Sequence, residues 1–535
     1  VSDWRFPSDD DVVLPRLLRR AAAADPSRVF AVFQDGGSWT YSDMEEAAAA
    51  SARGLDALGV ALGDTVASML PNGREALRVW FGVNALGAVL VPLNTAYRGQ
   101  LLERAINGCD ARILVVHQRH VHLLLDLTLD HLQFIIVVGG STADVRMPPG
   151  ITALPDEALR KDGPSLPLPD LTSSALFLLL HTSGTTGPAK LVRCTYLHHH
   201  TYCEGVLPTQ DAGDRAIIST SLSHVAATTL IYGMLQRGGS VAMIDRFGTS
   251  AFWDDVRRTG ATHATLVGAM ATFLMKAPRH STDRDNPLRT VLVTPMVPDS
   301  QGFSERFGLA LFSAYGGTEI TCPLRSAWRP TDHRSCGREW NPAFQLRLVD
   351  RDDREVPLGD AGELVVRHDR PWSLNDGYYG MPAESHVAWR NGWFHTGDVL
   401  RKDVAGNYYF IDRLKDVVRR RGENVSSAEV ESELLQHEAI LEAAVVGFPA
   451  REGEEEVRAF IVPQHAQSID VEELSRWLVG RLPYFMVPRY FDIVSELPHT
   501  DTQKVQKSVL RKRALGSDTW DREAHGLHLR QAEHG

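Results

Sequence analysis

The chain has 535 residues, 43% hydrophobic and 23% charged, an ordinary globular mix with length for several domain-sized units. A net charge of −11 excludes a general nucleic-acid binder, but not a local basic site for a phosphorylated ligand. The five cysteines (Cys109, Cys194, Cys203, Cys322, Cys336) are scattered, odd in number and form no Cys-x-x-Cys, which argues against a disulfide scaffold or a zinc site.

Apolar spacing predicts helices at 14–24, 44–58 and 76–86, with strands at 64–69 and 87–92. A helix at 101–106 and a strand at 113–116 repeat the alternation, and strands at 134–138, 176–180, 216–219, 240–244, 264–267 and 290–293 continue it. Such alternation predicts parallel sheets covered by helices. The proline- and charge-rich stretch 143–172 reads as a surface connection. From 345 to 366 short strands around an Asp-rich turn suggest a small barrel or hairpin sheet. After Asp412 a compact α+β unit follows, with helices at 428–435 and 471–482 and strands at 443–446, 458–462 and 490–494. Residues 518–535 read as a poorly packed tail, and 452–456 as a solvated acidic turn. No apolar run is long enough to span a membrane and the opening Ser2-Asp3-Trp4-Arg5 is unlike a signal peptide, so a cytoplasmic protein is expected.

Residues 181–192 read His-Thr-Ser-Gly-Thr-Thr-Gly-Pro-Ala-Lys-Leu-Val, directly behind the apolar run 176–180. Glycines let successive N–H groups converge on one anion, hydroxyls add donors, and Lys190 adds a point charge. This suits a polyphosphate, although a Walker loop would place lysine immediately after the last glycine. Residues 311–320 read Leu-Phe-Ser-Ala-Tyr-Gly-Gly-Thr-Glu-Ile. Tyr315 is suited to stacking on a flat base, Gly316 and Gly317 permit close approach, and Glu319 is a hard oxygen ligand for Mg²⁺. At 393–398, Trp-Phe-His-Thr-Gly-Asp ends in a carboxylate suited to two vicinal hydroxyls. The run His198-His199-His200 reads as a helix surface rather than a metal box, since adjacent residues do not share a helix face.

These motifs, in this order from Thr182 to Lys504, resemble the adenylate-forming superfamily of acyl-CoA synthetases, peptide-synthetase adenylation domains and beetle luciferases. The resemblance implies an α/β fold: a large N-terminal domain of two α/β subdomains plus a small β-barrel (1–412), and a small mobile α+β C-terminal domain (413–535). It implies activation of a carboxylic acid with Mg-ATP to acyl-AMP, then transfer to coenzyme A. By position, Thr182, Ser183, Gly184, Thr185, Thr186, Gly187 and Lys190 form the phosphate loop. Tyr315 and Gly316 meet the adenine, Thr318 the α-phosphate, and Glu319 the metal. Asp398 and Arg413 bind ribose, and Lys415 is the hinge about which the small domain turns. Gly422 and Glu423 line the CoA tunnel, where neighbouring arginines are candidates for the CoA phosphates. Lys504 assists attack of the carboxylate on phosphorus. His224 gates the acyl pocket, with Gly268, Ala269, Ala226 and Ala227 as small walls that permit a bulky or ring-shaped acid.

The chain departs from the family pattern at Pro188-Ala189, at Leu191 and Gln503 where glycines are usual, and at 292–298 beside the adenine. Because the departures concern the ATP-using half, an enzyme that only thioesterifies a preformed acyl-adenylate is an alternative. Transfer to a carrier protein or an amine is another, and a nucleotide-binding scaffold a third. The expected partners are a small-molecule carboxylic acid or its adenylate, and CoA. No nucleic acid and no membrane span is expected. The oligomeric state stays open, a homodimer included.

Overall fold

The computed structural model describes residues 6–142, 147–182, 190–414, 416–420, 423–450, 455–464, 469–479, 481–500 and 504–527. The chain parts into two compact units. The first takes the residues up to 345 together with Val366–Phe394, and the second takes Leu346–Val365 and everything from His395.

The first unit holds two seven-stranded sheets with mostly parallel strands. One runs Ala310–Phe312, Thr290–Thr294, His263–Val267, Arg215–Ile218, Ser240–Met243, Val29–Phe33, Ser38–Thr40, with only the last pair antiparallel. The other runs Thr152–Pro155, Phe134–Val138, Ile113–His117, Thr65–Met69, Val89–Pro92, Leu176–His181, Leu191–Thr195. Its final pair is antiparallel, with His181 opposite Leu191. These strands are continuous apolar runs such as Ile113-Leu-Val-Val, as expected where helices cover both faces. One core cluster unites both sheets with the helices Leu14–Ala24, Tyr41–Ala57, Arg74–Ala85, Tyr196–Val206 and Val225–Gln236. The second of these helices starts at a capping box. Thr40 Oγ1 accepts from Asp43 N (3.1 Å) and Asp43 Oδ2 from Thr40 N (2.8 Å), which satisfies two donors the first turn leaves open. Three antiparallel strands (Ala314–Gly317, Thr321–Arg325, Ser335–Glu339) complete this unit.

The adjacent strands Phe344–Val349, Ala361–His368 and Phe394–Lys402 lie mostly in the second unit, and Tyr408–Arg413 wholly so. The second unit also carries a sheet ordered Ile440–Pro449, Glu455–Pro463, Tyr490–Ile493, Trp520–Asp521, with the helices Ser427–Leu434, Val471–Val479 and Lys507–Arg511. No helix among the described residues is long and apolar enough to cross a membrane.

Several expectations from sequence are corrected. The stretch 143–172 contains the edge strand Thr152–Pro155, a 3-10 turn, and buried Leu159 and Leu171. The tail from 518 is packed as far as 527: Trp520 and Asp521 pair with the Tyr490–Ile493 strand, and Arg522 is buried with its Nε on Pro488 O at 3.2 Å. Glu456 is buried beside Arg420 rather than solvated.

Candidate active site

The phosphate-loop motif leaves the edge of the second sheet and returns to it. Ser183, Gly184, Thr185, Thr186 and Gly187 lie outside the described residues, as do Pro188 and Ala189. Both ends of the loop are fixed: Thr182 N donates to Lys190 O at 2.9 Å, and Lys190 N to Thr182 Oγ1 at 3.2 Å. Beside them His181 is half-buried, and desolvation of its ring holds the pKa down at about 4. Leu191, where glycine is usual, is buried in the core cluster with Val91 and Leu179. Its side chain is taken up by the sheet.

Tyr315, Gly316, Thr318 and Glu319 sit on the hairpin between Ala314–Gly317 and Thr321–Arg325. A Cβ at Gly316 would lie 2.0 Å from Thr321 O, so only glycine fits there. Two segments hold the hairpin tip. Asn375 donates twice to Glu319 O, from its backbone N (3.0 Å) and from Nδ2 (2.9 Å). His198 Nε2 donates to Thr318 O at 2.8 Å. Glu319 Oε1 accepts from the Tyr378 hydroxyl at 3.3 Å, and Lys190 Nζ stands 4.5 Å from the centre of the same tyrosine ring. The structure therefore brings Lys190 and Glu319, far apart in sequence, onto opposite functional ends of one side chain. Burial and the Glu319 charge push the Tyr378 pKa up, so its hydroxyl stays a donor.

His198 and His199 overturn the surface reading of the triple-histidine run, since both are fully buried. Their Nδ1 atoms are 3.3 Å apart, and His199 Nε2 is 3.0 Å from Thr228 Oγ1. Cys194 Sγ and the two rings present ligand atoms within 4.8 Å of one another. Assigning His198 as Nε2–H and His199 as Nδ1–H pairs every ring nitrogen without an ion. Desolvation lowers both histidine pKa values, that of His198 to about 4. The face argument failed because residue 198 turns to the hairpin tip and residue 199 to the helix Val225–Gln236, while only His200 meets the carboxylate of Glu204, at 3.5 Å.

Around the expected acyl pocket, His224 precedes the helix Val225–Gln236 and caps it, Nδ1 accepting from Ala226 N at 3.2 Å. Gly268 opens the helix Gly268–Lys276, where a Cβ would lie 2.8 Å from Pro295 O, so close packing on the 292–298 segment accounts for the glycine. Ala269 beside it is partly buried and Ala227 fully so.

In the second unit Asp398 and Arg413 are cross-strand partners, with Oδ1 and Nε 3.3 Å apart. Lys504 is exposed at the closing end of a short hairpin. Its N donates to Thr500 Oγ1 (3.2 Å) and its carbonyl accepts from Thr500 N (2.8 Å). Lys415, Gly422 and Gln503 lie outside the described residues, and Glu423 contributes backbone to the strand Glu423–Val425. Arg420, one of the arginines considered for CoA phosphates, is 2% exposed and bound to Glu456 (2.7 Å), Phe485 O and Val487 O. It is a structural residue of the C-terminal sheet and is not free for a ligand.

The profile of the AMP-binding enzyme family matches residues 18–379, and that of the AMP-binding enzyme C-terminal domain matches residues 429–504. The chain belongs to the AMP-binding enzyme family. Within it the relatives of this AMP-binding enzyme are acyl-CoA ligases, and it is an acid–thiol ligase. A feruloyl-CoA synthase from Amycolatopsis sp is 31% identical over 491 residues, covering 90% of this chain and 95% of the relative. A sulfoacetate–CoA ligase from Cupriavidus necator is 28% identical over 510 residues, covering 94% and 98%. Among solved structures, an anthranilate CoA ligase in complex with anthranoyl-AMP superposes with a TM-score of 0.83 at 23% identity over 95% of this chain and 97% of the other. A benzoate CoA ligase from Burkholderia xenovorans gives 0.82 at 22% identity over 93% and 99%. These two likenesses establish the fold. Family membership brings with it ATP, yielding AMP, together with Mg²⁺ and coenzyme A.

Tyr378 and Asn375 escaped the sequence reading. The signal was an aromatic pair framed by glycines, Asn375-Asp-Gly-Tyr-Tyr-Gly380, in a stretch without periodicity.

Proposed function

We propose that this enzyme joins a carboxylic acid to coenzyme A through an acyl-adenylate made from Mg-ATP, and that its acid carries a ring. The observation that carries the first half is the meeting of Lys190 and Glu319 at Tyr378. A phosphate-seeking cation and a metal-seeking carboxylate held by one side chain suit a triphosphate with its metal. Glu319 fits Mg²⁺ by its chemistry: its carboxylate offers hard oxygens of the kind Mg²⁺ prefers. Bound there, the metal would neutralise charge on the phosphates.

In this reading the backbone and hydroxyls of 182–187 and Lys190 grip the phosphates. Tyr315 and Gly316 receive the adenine, and Thr318 the α-phosphate. Asp398, its orientation fixed by Arg413, accepts from the ribose hydroxyls. Lys504 balances the charge that develops as the carboxylate attacks the α-phosphorus and pyrophosphate leaves. The C-terminal segment then turns at Lys415, and the strand containing Glu423 together with Gly422 guides the CoA thiol to the acyl carbonyl. AMP is expelled as the thioester forms, and positioning dominates this step. A boundary near 412–415 between an adenylating body and a turning lid belongs to the same proposal.

Support for a ring-bearing acid comes from the small residues that the family resemblance assigns to the acyl pocket with His224 (Ala226, Ala227, Ala269) and from relatives named for ferulate, anthranilate and benzoate. The test is an acid panel with Mg-ATP and CoA, reading acyl-AMP, AMP and acyl-CoA by mass spectrometry. Turnover of aromatic acids above short aliphatic and sulfonated ones is expected. Preference for a short or sulfonated acid would overturn the acid class. Acyl-CoA formed only from supplied acyl-adenylates would overturn the adenylation step.

A further inference from the structure

Tyr378 is buried, with 7% exposure, in the main core of the first unit, which by itself is a packing role. Its polar end has a more specific setting. The hydroxyl donates to Glu319 Oε1 at 3.3 Å, and the ring face lies 4.5 Å from Lys190 Nζ. The backbone that carries it is fastened to the strand leaving the phosphate loop. Tyr378 forms an antiparallel bridge with Val192, Tyr379 N donates to Leu191 O at 2.8 Å, and Arg193 N to Gly377 O at 3.0 Å. Arg193 also pairs with Asp376 at 2.6 Å. Three residues before the tyrosine, Asn375 grips the Glu319 carbonyl twice and is held in turn by Trp389 Nε1 on its Oδ1 at 3.1 Å.

We infer that Tyr378 is a positioning residue for Mg-ATP: its hydroxyl sets the Glu319 carboxylate for the metal, and its ring holds the Lys190 ammonium ready for the phosphates. The Glu319 carboxylate belongs to a hairpin tip whose backbone Asn375 and His198 hold. The Tyr378 hydroxyl on one carboxylate oxygen restricts the rotation of that group, as outer hydrogen-bond partners do for metal ligands generally. The aromatic face attracts the ammonium without neutralising it, so the lysine can move to the phosphates when they arrive. Strand pairing between 376–379 and 191–193 keeps both contacts in register. The same segment therefore couples the nucleotide's charge-binding lysine to its metal ligand.

The inference rests on the proposed roles of Glu319 and Lys190, and the test separates the two. Binding of a non-hydrolysable ATP analogue to the full chain is measured by calorimetry with and without Mg²⁺, for wild type, Y378F, Y378L and E319Q. Y378F keeps the ring and removes the hydroxyl. It should weaken metal-loaded analogue roughly tenfold to a hundredfold while leaving metal-free analogue unchanged. Y378L, lacking the ring as well, should weaken both forms. Y378F binding both forms like wild type, or losing both equally, would overturn the inference while a selective loss in E319Q leaves the Glu319 role standing. An E319Q variant with wild-type metal dependence would overturn the role of Glu319 and this inference together. Should Y378F unfold more readily, the ratio of the two affinities on the folded protein still decides: a general packing defect moves both, a positional defect only the metal-loaded one.

Discussion

Lys504 is exposed, and two hydrogen bonds tie its backbone to Thr500. Its proposed work is confined to the adenylating step. K504A should therefore lower acyl-AMP formation by about 10²–10³-fold, the usual cost of removing one preorganised charge donor, and leave conversion of synthetic acyl-adenylate to acyl-CoA near wild type. Separate assays of the two half-reactions check this, and equal losses in both would count against it. Arg413 Nε lies 3.3 Å from Asp398 Oδ1, and in the proposed reading it acts through that carboxylate. R413A should raise the KM for ATP with a smaller effect on the KM for CoA, and steady-state kinetics with each substrate varied reads the split. At this scale Lys190, Glu319 and Asp398 stood out because charged residues ended frames of glycine and threonine, whereas Arg413 was singled out by the resemblance alone, and the roles of all four belong to the proposal. Tyr378 did not stand out, because its contacts depend on an antiparallel bridge to Val192, far away in sequence. Arg420 was misjudged because three consecutive arginines give no sign that one turns inward to Glu456.

Two ion pairs hold the C-terminal elements in place. Arg420 and Glu456 are both buried and bind the Val418–Arg420 strand to the sheet. Removing one partner strands the other charge, so R420A should cost about 3–5 kcal/mol in the stability of this unit. Urea unfolding followed through Trp477 and Trp520 measures it, and a loss below about 1 kcal/mol would mean the pair is dispensable. The second pair anchors the base of the lysine hairpin: His499 Nε2 lies 2.7 Å from Glu442 Oε2 on the adjoining strand. The hydrogen bond to Glu442 raises the His499 pKa above its ordinary 6.5, with burial opposing and the Glu442 charge adding to the rise. A raised histidine stabilises fully below 6.5 and loses that contribution as pH climbs through the higher folded value. The melting deficit of E442Q against wild type should thus be largest near pH 6 and close as the medium becomes alkaline; a deficit that is flat or grows with pH would contradict the ion pair. Strands with continuous apolar runs were legible as elements. The edge strand Thr152–Pro155 and the terminal Trp520–Asp521 were not, since each is short and lies among prolines or charges, and only sheet pairing makes it a strand.

The whole molecule consists of a two-sheet body and a smaller unit; the alternation of helix and strand fits the first, whereas the second takes in Leu346–Val365 and resumes at His395, ahead of the texture change after Asp412. Sheet order was not readable, because crossover connections follow packing between helices and sheets rather than any local signal. The proposed turn at Lys415 belongs to this scale. A stiffening substitution, K415P, should leave acyl-AMP formation largely intact and slow acyl-CoA formation, read as acyl-AMP accumulating on the enzyme; unimpaired thioester formation would argue against a turn there. The most direct test of the central claim is one incubation of the full chain with Mg-ATP, CoA and a pool of carboxylic acids, followed by mass spectrometry. The account predicts acyl-CoA of a ring-bearing acid with an equal amount of AMP. AMP without thioester, or thioester only from supplied acyl-adenylate, would contradict it.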